Sequence, residues 1–194
     1  MGVVNCVAYS RKTGKKVGDI PIEHVSETLA ADSDHFVWVG LYEPDAVLMK
    51  TVQEEFGLHE LAVEDSTRQY QRPKLEVYGD SLFVVVRTAR LEHEDICFGE
   101  TYIFVGPRYV LTVRQGASLT YASVRTHCEH SARMMRHGPS YILHALLDFV
   151  VDNFFPVADD LGTHLQAIEH DIFGEQFKKQ TIRHLYDLKA DMVR

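Results

Sequence analysis

At Pro73 the periodicity of the chain changes, and this constrains the fold more than any other single position. Upstream, Leu58 to about Thr67 carries its apolar residues at helical spacing. Downstream, Leu75 and Val77 alternate with Lys74 and Glu76, which is the period of a strand. Proline has no amide hydrogen, and its ring collides with the preceding turn. The helix must therefore end in the elbow Gln69-Tyr70-Gln71-Arg72. Glu64 and Asp65 lie near the C-terminus of that helix. The macrodipole already leaves about half a negative charge there, so two carboxylates at that end call for a compensating cation. Arg68, Arg72 or a metal ion would each serve.

The segments before the elbow alternate between strand and helix. Val3 to Tyr9 is rich in strand formers, and Lys12-Thr13-Gly14-Lys15 reads as a turn into a short second strand ending at Gly18. Pro21 opens a helix running to about Ala31. Phe36 to Leu41 is almost wholly apolar, as in a strand buried on both faces. Pro44 starts a helix with Val47, Leu48, Val52 and Phe56 on one side, and Gly57 stops it.

After the elbow, the apolar run Leu82 to Val86 predicts a central strand. Glu100 to Val105 and Tyr109 to Val113 predict two more, joined through Gly106-Pro107-Arg108. The acidic run Glu92 to Asp95 reads as a solvated hairpin tip. Beyond Gly116 the pattern is helical. One helix is expected from Leu119 to about Arg136, and a break falls at Gly138-Pro139-Ser140. A long helix is then expected from Tyr141 to about Phe173, kinked at Pro156 and capped by Gly174. A last helix begins near Glu175 and reaches Arg194 without a capping signal. Helices interleaved with strands early, and hairpins later, give an α/β chain with a mixed sheet and helices on its faces.

Charge narrows the function classes. Twenty basic against twenty-eight acidic residues give a net charge of −8, which disfavours nucleic acid as a partner and suits cations. Cys6, Cys97 and Cys128 form no CxxC pair, so neither a disulfide framework nor a zinc knuckle is implied, and a reducing, cytoplasmic setting follows. The N-terminus lacks a signal-peptide pattern. Ile142 to Phe155 is interrupted by His144, Asp148 and Asp152 and falls short of the roughly 18 to 20 clean apolar residues of a membrane span, so the chain as given reads as soluble. G-x-S-x-G, Walker, G-x-G-x-x-G and H-E-x-x-H patterns are all missing, which removes support for hydrolase or kinase chemistry and for an enzyme generally.

Three constellations remain. Asp148 and Asp152 stand i,i+4 on a helix that is apolar almost all round. Neighbours at that spacing lie about 5–6 Å apart. Two carboxylates there repel by roughly 2–3 kcal/mol at an effective dielectric of about 20. Either Asp148 is answered by an arginine or by a helix cap, or one of the pair joins Glu64 or Asp65 around a hard divalent cation. Asp159, Asp160, Glu169 and Asp171 make the lower half of the same helix acidic, as a solvated face would be. His127, Cys128, Glu129 and His130 hint at zinc but lack a distant third ligand.

The elbow also carries a resemblance. Phe56-Gly57-Leu58-His59, Leu61-Ala62-Val63-Glu64-Asp65 and Gln71-Arg72-Pro73-Lys74 resemble the cytoplasmic domain of the CorA-type divalent-cation transporters. Phe36-Val37-Trp38-Val39 looks like the Trp-bearing strand of that family, and Tyr141 to Phe155 like its first long helix. The resemblance implies an α/β/α sandwich over residues 1–137. A long acidic helical pair over 138–194 would lead to a stalk and to transmembrane helices that this chain does not contain. It implies a homopentamer at the cytoplasmic face of the cell membrane that conducts Mg²⁺ or Co²⁺, with a ZntB-like zinc branch as the alternative. It also implies regulatory cations bound between subunits at Asp65, with Glu64 and Asp148 beside it. Asp152, Asp159, Asp160, Glu169 and Asp171 would form a secondary acidic face. A free-standing α/β interaction module is the competing reading.

Overall fold

A computed structural model describes residues 2–68, 71–92 and 95–173 and the single positions 182, 183, 186 and 189. The expected Gly174 cap and nearly all of the last helix lie outside these residues, as does the 93–94 tip of the acidic hairpin.

Seven strands form one sheet: β1 (Gly2–Ser10), β2 (Lys16–Asp19), β3 (His35–Tyr42), β4 (Lys74–Tyr78), β5 (Ser81–Glu92), β6 (Asp95–Gly106) and β7 (Tyr109–Gly116). Their spatial order is β2-β1-β3-β7-β6-β5-β4. All neighbours are antiparallel except β3 and β7, which run parallel with Val37 opposite Tyr109 and Tyr42 opposite Arg114. The sheet is therefore mixed, as expected. Strand β3 lies at its middle and is buried from Phe36 to Leu41, which explains why that stretch carries no polar side chain. The Leu82–Val86 strand has a partner on each side but sits next to the edge strand β4 rather than at the centre.

Helices cover both faces. On one side, a 3₁₀ turn (Ile22–His24), α1 (Val25–Ala31), α2 (Ala46–Phe56), α3 (Glu60–Thr67) and the link between the last two set Ile22, Val25, Val52, Leu58 and Ala62 against Val39, Val85 and Leu111. Asp45 caps α2 by accepting the Leu48 amide at 2.8 Å, and Gly57 ends it in the left-handed region at φ 61°. On the other side, α4 (Ala122–His130), α5 (Ala132–Met135) and α6 (Pro139–Asp152) pack Val124, Cys128, Met135, Ile142, Leu146 and Val150 on Trp38, Ile103 and Val110. The result is an α/β/α sandwich.

Two expectations about helices are corrected. The helix expected from Leu119 to Arg136 is two helices, broken at Ser131, whose ψ of 60° is not helical. The long helix begins at Pro139 and bends at Asn153, where α7 (Phe154–Phe173) takes over. Pro156 explains the bend, because it has no amide to offer the carbonyl of Asp152 four residues earlier.

The stretch Pro139–Phe173 contains an 18-residue window of mean hydropathy 1.3, which by length and composition is enough to cross a membrane. Asp148 and Asp152 thus do not take it below that requirement. Part of its apolar character faces the sheet through Ile142, Leu146 and Val150, although only 22% of the window is buried.

Candidate functional site

Helix α3 brings Glu64 and Asp65 to its C-terminal end, as expected, and the next strand supplies the cation. The Lys74 ammonium donates to Asp65 Oδ2 at 2.6 Å and to Glu76 Oε1 at 3.0 Å. Arg68, four residues after Glu64, donates to the Glu64 carboxylate. Two protein cations therefore answer the two carboxylates. Arg68 was one of the partners expected from spacing, while Lys74 was not.

Lys74 reaches Asp65 because β4 turns its polar side inward. Leu75 and Val77 are 61% and 63% exposed, whereas Lys74, Glu76 and Tyr78 face the α3 layer. The side chains of Lys74 and Asp65 are only 29% and 22% exposed, so the pair is far less screened than Arg68–Glu64, at 63% and 47%. Tyr78 donates to the other oxygen of Glu76 at 2.7 Å. The hydrogen bond to Asp65 holds the Lys74 ammonium above its ordinary range, with Glu76 adding to the effect and partial burial opposing it. The Tyr78 hydroxyl first, and Lys74 second, hold the Glu76 carboxyl below its usual range. The signal that would have found Glu76 and Tyr78 is the two-residue period of Lys74, Glu76 and Tyr78 along one strand face.

The elbow is anchored from beneath. Gln115 on β7 donates to the Ser66 carbonyl at 3.2 Å. The Tyr102 hydroxyl on β6 lies 2.7 Å from the Arg68 carbonyl oxygen and 2.6 Å from Glu100 Oε2.

Asp148 lies elsewhere. It is exposed on α6, in the layer opposite α3, and lines an open groove of about 410 Å³ with Asp152, His127, His144, Tyr141 and Phe149. Neither an arginine nor a helix cap holds it among the described residues. One chain thus brings Glu64 and Asp65 together but does not bring Asp148 to them. Among the described residues no group of three or more His, Cys, Asp or Glu side chains is arranged to hold a metal. On α7, Asp159, Glu169 and Asp171 are exposed, while Asp160 is half-buried 3.3 Å from His164 Nδ1.

The zinc hint at residues 127–130 dissolves into structure. Cys128 is fully buried, and burial pushes its thiol up to about 11. Glu129 accepts from the Tyr9 hydroxyl at 2.7 Å, and the His130 ring donates to the Thr126 carbonyl at 2.6 Å.

The family model described as CorA-like Mg2+ transporter protein matches residues 33–194. The chain belongs to the CorA-like family. It is 29% identical over 179 residues to the putative metal ion transporter YfjQ of Bacillus subtilis, covering 90% of this chain and 53% of that protein. It is 24% identical over 168 residues to the cobalt/magnesium transport protein CorA of Thermotoga maritima, covering 84% of this chain and 47% of that protein. The chain therefore spans about half the length of these relatives. The soluble domain of CorA from Methanocaldococcus jannaschii superposes with a TM-score of 0.68 at 12% identity, over 100% of this chain and 74% of that one. At that identity the likeness speaks for the fold, which the CorA-like chain shares.

Proposed function

We propose that this chain is the cytoplasmic regulatory domain of a homopentameric magnesium and cobalt transporter. In this reading the domain stands on the cytoplasmic face of the membrane and carries a cation sensor between subunits, with Asp65 at its centre and Glu64 and Asp148 contributing. The long helical part from residue 138 leads toward the membrane. All three candidate donors are carboxylates, which suits a hard divalent ion that keeps some of its water. The observation that carries the reading is that Asp65 and Asp148 belong to opposite layers of the sandwich, so an ion touching both must join two chains. Exposed apolar residues on β4, α6 and α7, among them Leu75, Val77, Val151 and Phe155, are consistent with surfaces covered in an assembly.

The mechanism is an electrostatic one. A cation between two acidic surfaces neutralises their repulsion and favours the closed arrangement, and its loss lets the subunits separate. The test uses the full-length polypeptide that the gene encodes. Two hydrophobic segments beyond Arg194, the first ending in Gly-Met-Asn, are expected, and a stop codon at that point would remove the transport reading. In that polypeptide, Asp65→Asn with Asp148→Asn should weaken the protection that Mg²⁺ gives against proteolysis. Protection equal to the unmutated protein would exclude these residues as the sensor.

A further inference from the structure

We propose that Lys74 is a built-in competitor for the cation that Asp65 binds, and that its ammonium moves onto Glu76 alone when the cation arrives. The inference rests on the reading of Asp65 as a regulatory cation ligand.

The geometry supplies each part. The ammonium bridges Asp65 Oδ2 at 2.6 Å and Glu76 Oε1 at 3.0 Å. A divalent cation at Asp65 would meet that positive charge at contact distance, so the two compete for the same carboxylate. Release of Lys74 does not leave it unpaired, because Glu76 sits two residues along the same strand. The β4–β5 ladder, with Lys74 opposite Val85 and Glu76 opposite Phe83, fixes the spacing of the two backbones. Tyr78 holds the far oxygen of Glu76 at 2.7 Å, and the Phe83 ring lies beneath the ammonium, 5.7 Å away at its centroid. The flexible four-carbon stem of lysine lets the charge leave Asp65 by side-chain rotation while it keeps its bond to Glu76. Lys74 therefore sets the cation concentration at which the sensor responds.

The test titrates MgCl₂ into the full-length polypeptide encoded by the gene and reads the concentration that half-protects it from limited proteolysis. Lys74→Gln should lower that concentration by about two- to fivefold, the range expected when a partly exposed ion pair stops competing. Glu76→Gln should raise it, because Lys74 then has Asp65 as its only carboxylate partner. Asp65→Asn should weaken Mg²⁺-dependent protection and raise that concentration. If Asp65→Asn weakens protection while Lys74→Gln leaves the midpoint unchanged, the competitor role is overturned and the sensor reading stands. If Asp65→Asn keeps the original midpoint, the sensor reading falls and this inference falls with it. Should Lys74→Gln lose its cooperative melting transition, Glu76→Gln decides alone: an upward shift supports the role, and an unchanged or lower midpoint overturns it.

Discussion

The hydroxyl of Tyr102 lies 2.7 Å from the backbone oxygen of Arg68, tying the last turn of α3 to the fully buried floor of the sheet. The same hydroxyl is 2.6 Å from Glu100 Oε2, and burial together with Glu100 raises the phenol well above its ordinary range. Tyr102→Phe keeps the ring and removes the hydroxyl. It should lower stability by about 1–3 kcal/mol, the cost of leaving a buried acceptor without that donor. Urea unfolding measures the loss, and faster amide exchange near Arg68 should accompany it.

The second helical layer holds through its inner stripe. Leu146 is fully buried, whereas Leu165 is 44% exposed. Leu146→Ala should cost about 2–5 kcal/mol. Leu165→Ala should stay within about 0.5 kcal/mol in the isolated chain. Thermal or denaturant melts of the two variants check the contrast, and equal losses would contradict the burial assigned to α6.

Glu76 makes a pH dependence with a definite sign. Its folded carboxyl is held below the ordinary 4.5, so its contribution is present above that value and is lost as pH falls through the lower folded value. Melting temperature should therefore decline on acidification below about pH 5, and less steeply in Glu76→Gln. The carboxylate is partly exposed, so the difference should remain under about 1 kcal/mol. Identical slopes would show that Glu76 gains nothing from Tyr78 and Lys74.

Burial was easier to read from the residues than direction was. Phe36 to Leu41 announces a strand with helices on both sides because no polar residue could tolerate either face. Ser131 was invisible, since Val124, Cys128 and Met135 continue one buried stripe across a break confined to one residue's backbone. The alternation at β4 gave the period but not the side. In the fold Lys74 turns inward to Asp65 on α3, and Leu75 is left exposed. The same limit applies to the candidate site. Spacing along one helix marks Asp65 and Asp148 as unusual, but only the stacking of layers shows that they face away from each other.

The single parallel pairing between β3 and β7 has a consequence for how the chain assembles. On one side of it, β2, β1 and β3 meet through nearby segments, and on the other β4 to β7 form consecutive hairpins. Within the sheet, the pairing of Val37–Tyr42 with Tyr109–Arg114 is the one ladder that joins the two halves, across some seventy residues of sequence. Closing a connection of that length costs entropy before any pairing is gained. The two meanders should thus organise separately, with the seam forming late. Small truncations at Val39 and Leu111 are expected to speed unfolding while leaving the refolding rate nearly unchanged. On a ribosome, the amino-terminal half would have to wait, with one strand edge open, until β7 emerged.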